Sequence, residues 1–308
     1  MKKERKRRNR IIVFIAAAVV ILTAVTLWAV FTDDSGSFDN TLGTISSPDE
    51  SNPGLRVSFI DVGQGDCILL ECGGKTMLVD AGEKIYEQKV SRYLLSRKIK
   101  TLDYIVATHP HSDHIGSLPY IMENFGTKNV IMPRIPREII PTNYFFDSFI
   151  ECVSESDALV TAAQPGLTFM LGTAQVTFIG PVSETAEDLN NLSAVCKVTY
   201  GETSLLLTGD AAFDEETEII NSGMDIKCDI LKLGHHGSGT STGSELLEKV
   251  SPKYCVISCG ENNDYGHPAE STLKRILKYT DKIYRTDRCG TIVAESDGKN
   301  IVFTYGKE

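Results

Sequence analysis

The sequence predicts an α/β protein in which two β-sheets face each other and helices cover their outer surfaces. Two observations lead to this fold class. Short apolar runs of strand length alternate with segments whose apolar residues recur at helical spacing, and this alternation occurs in both halves of the chain. Each half is therefore expected to supply one sheet with its helices. The composition, 42% hydrophobic and 23% charged, is ordinary for a globular protein that buries a core.

The first half contains strands that lead into a group of polar residues. Three strands linked by glycine-containing turns are predicted at Arg56–Asp61, Cys67–Glu71 and Thr76–Asp80. A helix is predicted at Ile85–Lys98, where apolar side chains recur at helical spacing. A buried strand at Asp103–Thr108 then runs directly into a cluster of histidines.

The second half repeats this order of strands and helices. Its predicted strands are Ala174–Ile179, Ala194–Tyr200, Thr203–Thr208, Cys228–Leu233 and Tyr254–Ser258. Its predicted helices are Phe213–Asn221, Ser244–Val250 and Ala269–Tyr279. A terminal hairpin of Thr291–Glu295 and Asn300–Tyr305 is expected to turn at Asp297 and Gly298.

The first 31 residues have a different character. Residues 1–10 carry seven Lys and Arg against one Glu, and residues 11–31 contain no charge. This uncharged run of 21 residues, whose only hydroxyls are Thr23 and Thr26, matches the roughly 20 that a helix needs to span a bilayer. A cleaved signal peptide is the alternative, but its apolar region is usually about 7–15 residues and ends in small residues, whereas this one ends in Leu27–Phe31. We therefore expect an uncleaved transmembrane signal anchor.

The charge distribution around this anchor predicts its orientation. Because the basic residues precede the span, residues 1–10 are expected in the cytoplasm and everything after residue 31 outside it. The polar, turn-rich residues 32–53 predict a flexible linker to a globular domain at 54–308. Residues 32–308 carry 24 Lys and Arg against 40 Asp and Glu, a net charge of −16. So acidic a surface disfavours tight binding of nucleic acid.

The strongest chemical signal follows the strand predicted at Asp103–Thr108. His109, His111, Asp113 and His114 lie within six residues of one another. Imidazole and carboxylate groups are suitable ligands for zinc and related ions. Clustered at the end of an apolar strand, they leave buried polar groups that a cation would satisfy, with a dense hydrogen-bond network as the alternative.

The remaining histidines support this interpretation. The chain has 6 His, and the three outside the cluster are His235, His236 and His267, each in a glycine-bounded loop. Asp210 ends another strongly apolar strand. Alone it would be read as a turn former or helix cap. Beside the histidines, its carboxylate is suited to bridge two metal ions about 3.5–4 Å apart.

These residues resemble the metallo-β-lactamase fold superfamily, whose H-x-H-x-D-H string is present at His109–His114. From about Leu55 to the C-terminus, the chain is similar to the hydrolase domain at the C-terminal end of ComEC-type competence proteins. The supporting motifs are Asp61–Asp66, Val79–Gly82, Asn190–Ser193, Thr208–Asp210, Gly234–Ser238, Gly266–Pro268 and Tyr284–Asp287. The resemblance implies that residues 54–308 form a four-layer αββα metallo-β-lactamase sandwich, a hydrolase domain with metals at one edge of its sheets.

The resemblance also implies two divalent metal ions, with zinc expected and manganese as the alternative. His109 and His111 would hold one ion. Asp113 and His114 would hold the other, and Asp210 would bridge both. A bound metal lowers the pKa of water toward about 7, so hydrolysis would proceed through a metal-bound hydroxide that Asp113 orients.

One ligand of the wider superfamily is replaced in this chain. Asn191 stands where relatives carry a metal-binding histidine, so other histidines must complete the two sites. His235 would complete the first site and His267 the second. His236 would then act as a proton donor, although His235 and His236 could exchange roles. Asp80 would fix the tautomer of a ligand histidine.

Two further segments have both structural and functional interpretations. Asp61, Gln64 and Asp66 fit a tight turn between strands, and contact with substrate is the alternative. The aromatic run Tyr144–Phe146 could line a substrate cleft, although ordinary loop residues would look the same. Of the eight cysteines, those in apolar runs are expected to pack as small hydrophobic residues.

These inferences lead to a membrane-anchored, extracytoplasmic hydrolase. The resemblance implies a phosphodiesterase or nuclease, because a dinuclear centre can clamp the attacking and leaving oxygens of a phosphodiester. DNA is one candidate substrate, which the acidic charge disfavours. A small cell-envelope phosphodiester or ester of the choline-phosphate type is the alternative, and a catalytically silent metal-binding module is the alternative class. With one predicted span, the chain is not expected to form the channel of full competence proteins, and no protein partner is predicted.

Overall fold

The computed structural model describes residues 54–183 and 187–306 of the chain. The predicted cytoplasmic segment at 1–10, the transmembrane anchor at 11–31 and the linker at 32–53 lie outside these residues. Among the described residues, none of the helices has both the length and the apolar character required to cross a membrane.

Seventeen strands are present in the described part of the chain. In chain order they are β1 (Leu55–Phe59), β2 (Ile68–Cys72), β3 (Lys75–Val79), β4 (Thr101–Leu102), β5 (Tyr104–Val106), β6 (Gly126–Thr127), β7 (Asn129–Met132), β8 (Leu159–Ala162), β9 (Thr168–Leu171), β10 (Ala174–Phe178), β11 (Cys196–Tyr200), β12 (Thr203–Leu207), β13 (Ile230–Lys232), β14 (Tyr254–Ile257), β15 (Ile283–Arg285), β16 (Thr291–Ser296) and β17 (Ile301–Gly306).

The strands form two large sheets. An eight-stranded sheet has the order β17-β16-β1-β2-β3-β5-β7-β8, and a seven-stranded sheet has the order β15-β14-β13-β12-β11-β10-β9. Strands β4 and β6 pair separately. Neighbours are parallel from β3 through β8 in the first sheet and from β12 through β15 in the second, while the other pairs of the two sheets are antiparallel.

Eight α-helices connect these strands in the described residues. They are α1 (Glu87–Ser96), α2 (Ser112–Ile115), α3 (Leu118–Asn124), α4 (Tyr144–Glu155), α5 (Phe213–Asn221), α6 (Ser244–Val250), α7 (Glu270–Ile276) and α8 (Thr286–Cys289). Short 3₁₀ turns lie at Lys84–Tyr86, Arg137–Ile139, Leu189–Leu192 and Gly234–Gly237.

Three apolar cores hold the layers together. Successive side chains of a strand point to opposite faces of its sheet, so two adjacent buried residues show that both faces are covered. Leu70 and Leu207 pack in the core between the two sheets. Their neighbours Leu69 and Leu206 pack in the two outer cores, with residues of the covering helices. The four-layer αββα sandwich predicted from the sequence is confirmed.

The parallel strands gather the polar loops at one edge of the sandwich. In both sheets, the carboxyl ends of neighbouring parallel strands lie side by side. The loops that leave β3, β5, β12 and β13 carry Asp80, the His109–His114 segment, Asp210 and His235–His236. Strand ends of this kind are where α/β folds usually assemble a site.

Most predicted elements are present within about two residues of their expected bounds. The helices predicted at Phe213–Asn221 and Ser244–Val250 have these bounds in the structure. The helix predicted at Ile85–Lys98 is shorter, because Ile85 lies in a 3₁₀ turn before α1. The side chain of Ile85 is 80% exposed, so it does not belong to the buried stripe of that helix.

The segment between β6 and β10 contains elements that were not predicted. Strand β8 lies at the edge of its sheet, and its first two residues, Leu159 and Val160, are both exposed. Strand β9 is the corresponding edge of the other sheet. Neither strand has the alternation of apolar and polar residues that marks a half-buried strand, which is why the sequence pattern gave no prediction there.

Candidate metal centre

The loop after β5 is folded by contacts with the turn after β1. His111 immediately precedes the one-turn helix α2, and Asp113 and His114 lie on that helix. The backbone N–H of Asp66 donates to the carbonyl of Asp113 at 3.1 Å. A Cβ atom on Gly65 would lie 2.3 Å from the same carbonyl, and Gly65 has φ +135°, so only glycine allows this close approach.

Asp210 lies at the centre of the histidines. It follows β12 and is 2% exposed. Its Oδ2 atom is 3.4 Å from Nε2 of both His114 and His236. The Nε2 atoms of His235 and His109 lie 3.7 and 3.9 Å from the same oxygen. One carboxylate oxygen faced by four imidazole nitrogens is the arrangement expected of a group that bridges two cations.

The loop after β13 presents two histidines in an unusual backbone conformation. His235 and His236 have φ values of 47° and 54°, in the left-handed region. Nδ1 of His236 donates to the carbonyl oxygen of Ser258 at 3.0 Å. This tautomer leaves a lone pair on Nε2, which lies 3.2 Å from Oδ2 of Asp113. Nε2 of His236 therefore faces Asp113 and Asp210 at the centre of the site.

Asp80 orients His114 in the same way. It accepts hydrogen bonds from the backbone N–H of Thr108 at 2.8 Å and from the Thr108 hydroxyl at 2.6 Å. Its Oδ2 also accepts from Nδ1 of His114 at 2.8 Å. Both His114 and Asp80 are fully buried. The contact fixes the tautomer in which Nε2 of His114 faces the centre of the site.

Of the other candidate histidines, His109 is buried, whereas His111, His235 and His267 are partly exposed. Nε2 of His109 is 2.9 Å from Nδ1 of His111. The ring of His267 is 5.5 Å from that of His235, between centroids, and the ring of Tyr265 stacks on His267 at 5.7 Å. Burial and the neighbouring histidine His235 lower the pKa of His267 to about 4, so its imidazole is neutral at pH 7.

Asn191 is placed against the backbone. It follows the apolar strand β10 along the chain, lies in the turn before β11, and is 9% exposed. Its Oδ1 accepts a hydrogen bond from the backbone N–H of Ala212 at 3.0 Å. The amide thus tethers the chain just beyond Asp210.

The charge of the cluster favours a bound cation. Burial would lower the pKa of His114, yet the carboxylates of Asp210 and Asp113 outweigh it and raise that pKa well above its ordinary value. Burial is likewise outweighed at His236, where Asp210 helps to raise the pKa to about 9. The carboxylates therefore stabilise positive charge on the buried imidazoles of His114 and His236.

The donor atoms fit divalent metal ions. Nε2 of His114, Nε2 of His236 and Oδ1 of Asp210 are buried and have no hydrogen-bond partner. Four sets of three described side chains bring one ligand atom each within 4.8 Å of one another. Two of them combine the predicted ligands: His109, His114 and Asp210 form one, and Asp113, His114 and His236 form the other. Buried orphan donors and acceptors are costly, and a cation between them would satisfy all of them.

A cleft of about 390 Å³ opens onto this centre. Its lining residues are Gln64, Pro110, His111, Ser112, Asp113, Asn143, Phe145, Asp210, His235, His236, Tyr265 and His267. Of the aromatic run considered above, Phe145 lines the cleft, whereas Phe146 is buried in the core. Tyr265 was not predicted, because an isolated tyrosine in a loop carries no pattern.

The turn after β1, which contains Asp61, Gln64 and Asp66, has its own internal hydrogen bond and also contributes to the site. Asp61 accepts from the backbone N–H of Gly63 at 3.1 Å, as expected of a turn. Asp66 is 1% exposed and forms an ion pair with Lys232, which is fully buried. Nζ of Lys232 also donates to the carbonyl of Gly209 at 3.2 Å. The sequence analysis missed Lys232, whose only signal is a lysine at the end of a buried strand.

Comparisons with known proteins agree with this geometry. The metallo-beta-lactamase superfamily matches residues 60–261. ComE operon protein 3 of Bacillus subtilis is 29% identical over 263 residues, covering 77% of this chain and 32% of that protein. Recombination protein 2 of Haemophilus influenzae is 30% identical over 247 residues, covering 79% and 29%. The chain thus spans about a third of these relatives' length.

A solved structure shows the same fold at low sequence identity. CmlA, a diiron β-hydroxylase from Streptomyces venezuelae, superposes with a TM-score of 0.55 at 14% identity. The match covers 79% of this chain and 54% of CmlA. At this identity the similarity concerns the fold alone.

Proposed function

The chain belongs to the metallo-β-lactamase superfamily, in its ComEC-type branch, and we propose that it is a dinuclear metal-dependent phosphodiesterase anchored in the cell membrane with its catalytic domain outside. Family membership makes it a metal-dependent hydrolase. The choice of phosphodiester as the scissile bond, the number of metals and the membrane location are the proposal.

The position of Asp210 carries the proposal for two metals. Its Oδ2 lies within 3.9 Å of four imidazole nitrogens. A single metal could not use all of these donors together with those of Asp113 and His111 in the usual four-coordinate arrangement of zinc. Two ions held on either side of Asp210 would account for the whole set.

The contacts favour a specific division of the ligands. His109, His111 and His235 would hold one ion, with Asp210 shared. Asp113, His114 and His236 would hold the other. His236 takes the place that the sequence analysis gave to His267, because its Nδ1 is engaged by Ser258 and its Nε2 faces Asp113. Zinc is the expected metal and manganese the alternative.

The remaining polar groups would act on the substrate. When bound, the two ions supply Lewis acidity and a nucleophile from water at neutral pH. The neutral imidazole of His267, at the mouth of the cleft, would donate its ring N–H to a phosphate oxygen. Asp113, which lines the same cleft, would orient the attacking water through a hydrogen bond.

The expected location rests on the sequence before residue 54. The basic residues 1–10 precede the uncharged residues 11–31, which orients a span with its N-terminus in the cytoplasm. Protease added to intact cells should then digest the domain at 54–308 and spare the N-terminus. Protection of the domain until the cells are lysed would contradict this location.

The substrate class follows from the dinuclear centre and from the relatives. A pair of metals suits in-line displacement at phosphorus, and one relative is named a recombination protein, which favours a nucleic-acid phosphodiester. The net charge of −16 over residues 32–308 favours small substrates, so an envelope phosphodiester of the choline-phosphate type is the second candidate. The complete ligand set argues against a catalytically silent module.

The proposal is tested with the full chain purified in detergent. After loading with Zn²⁺ or Mn²⁺, it should hydrolyse bis-p-nitrophenyl phosphate, and linear DNA and choline-phosphate esters are assayed beside it. Asp113→Ala should lower kcat by at least about 100-fold, the scale of a positioned acid–base group. Loss of all hydrolysis after loading with either metal would contradict the proposal.

A further inference from the structure

The cleft carries two aromatic side chains that the hydrolysis of a phosphate ester does not require. Phe145 lies in the first turn of α4, where the Asn143 side chain accepts from the backbone N–H of Phe145 at 3.1 Å and caps the helix. Tyr265 lies on the loop before His267. Both residues line the cleft that opens onto the metal centre.

Tyr265 is held in an exposed position by its loop. The Asn263 side chain donates to the carbonyls of Gly260 and His267 and accepts from the backbone N–H of His267 at 2.9 Å. These bonds fix the loop while the Tyr265 side chain stays 72% exposed. Its ring is nearly parallel to that of His267, at 24°. The cleft therefore presents a preformed flat apolar surface beside its catalytic centre.

The charges around the cleft oppose a long polyanion. Among the described residues that line it, none is Lys or Arg. The adjoining groove, which shares Phe145 with the cleft, is lined by Glu87, Glu123, Glu151 and Glu155. Its basic lining residue, Lys84, donates to the Tyr144 hydroxyl at 2.8 Å. Further phosphates on either side of the scissile one would find no cationic partner in the cleft and carboxylates in the groove.

Building on the proposed function, we infer that the cleft selects a short phosphodiester whose planar, base-sized group stacks on Tyr265 and Phe145. Stacking on aromatic side chains is tolerant of base identity, because every base has a flat π face. The metals would take the scissile phosphate and the aromatic rings the adjoining group. Duplex DNA, with stacked bases and many phosphates, does not fit this arrangement.

Matched dinucleotides test this inference. The probes are dithymidine monophosphate and its analogue in which both bases are replaced by abasic tetrahydrofuran, which keeps the single charged phosphodiester. With the metal-loaded full chain, kcat/KM should be at least about tenfold higher for the base-containing dinucleotide, the lower end of base–aromatic stacking. Tyr265→Ala and Phe145→Ala should each reduce this ratio towards one, and Tyr265→Phe should retain it.

A control variant and a length series complete the experiment. Tyr305→Ala changes a tyrosine that is 60% exposed on β17 and does not line the cleft, so the ratio should not change. Per phosphodiester, a 20-residue thymidine strand should be cleaved no faster than the dinucleotide, with little dependence on salt.

The outcomes separate this inference from the proposed function. Failure of the wild-type chain to cleave bis-p-nitrophenyl phosphate or either dinucleotide would overturn both. Cleavage of both dinucleotides with equal kcat/KM would overturn the stacking inference alone. So would a steeply salt-dependent preference for long DNA, since that requires cationic contacts that the cleft does not have.

Discussion

The buried ion pair beneath the metal centre should be essential for stability. Lys232 is fully buried at the end of β13, Asp66 is 1% exposed, and the two side chains contact each other. Replacing lysine by methionine keeps an unbranched side chain, one atom shorter, and removes its charge. In Lys232→Met, the Asp66 carboxylate would remain buried without its counter-charge, and Oδ1 of Asp66 already has no hydrogen-bond partner.

The expected cost is large. Removing one partner of a buried pair typically costs about 3–5 kcal/mol, because the remaining charge is left uncompensated. For a domain of this size, about 1 kcal/mol shifts Tm by roughly 2–4 °C, so Tm should fall by about 6–20 °C. Thermal unfolding of the metal-free full chain, followed by circular dichroism, measures this shift.

Two controls distinguish a buried charge from a lost contact. Lys253 pairs with Asp229 at 2.8 Å, but its side chain is 71% exposed, so Lys253→Met should cost less than about 1 kcal/mol. The double variant Lys232→Met/Asp66→Asn removes both charges and should recover most of the stability. A cost below about 1 kcal/mol for Lys232→Met, or a double variant no more stable than it, would refute the reasoning.

Three further predictions concern the loops and helices that support the site. Asp80→Asn should leave a folded protein that binds metal about 10–100-fold more weakly, because the His114 tautomer is no longer fixed; metal titration checks this. Gly65→Ala should reduce metal affinity and stability together, because the added Cβ meets the Asp113 carbonyl; a soluble variant with wild-type Tm and metal content would contradict it. Burial raises the pKa of Glu215 to about 7, above the ordinary 4.5, so its contribution to stability is full below about pH 4.5 and is lost as the pH rises through 7. Glu215→Gln should remove this pH dependence of the free energy of unfolding, which amounts to at most about 3 kcal/mol in total. Identical pH profiles of the free energy of unfolding for both proteins would refute the prediction.

The sequence predicts much of the fold because most central strands are buried on both faces. Runs such as Leu205–Leu207 are apolar throughout, and polar residues follow them immediately. The histidine cluster is visible for the same reason, since its members are close in sequence as well as in space. The edge strands β8 and β9 are not predictable in this way, because their exposed apolar residues follow no period.

The details of the site depend on contacts between distant residues. Asp66 and Lys232 are far apart in the chain, and nothing in the sequence indicates that they form an ion pair. The roles proposed for His236 and His267 likewise depend on the carbonyl of Ser258, which fixes the tautomer of His236. Contacts of this kind depend on tertiary packing. A sequence motif identifies the histidines and carboxylates of the site, but it does not identify the groups that pair with them or orient them.

The ligand division can be checked on these histidines. His236→Ala should deplete metal, whereas His267→Ala should retain it and slow turnover, because His267 lies at the mouth of the cleft. The sequence analysis, which gave His267 the place of a ligand, predicts the opposite result. Metal loss in His267→Ala with full occupancy in His236→Ala would restore that assignment.

The bridging role of Asp210 is tested most directly by electron paramagnetic resonance of the Mn²⁺-loaded chain. The wild-type protein should bind about two Mn²⁺ ions per chain, and ions about 3.5–4 Å apart should give an exchange-coupled spectrum. Asp210→Ala should bind fewer ions and show the six-line spectrum of isolated Mn²⁺. A wild-type protein that binds one ion, or two ions with uncoupled spectra, would contradict a dinuclear centre bridged by this carboxylate.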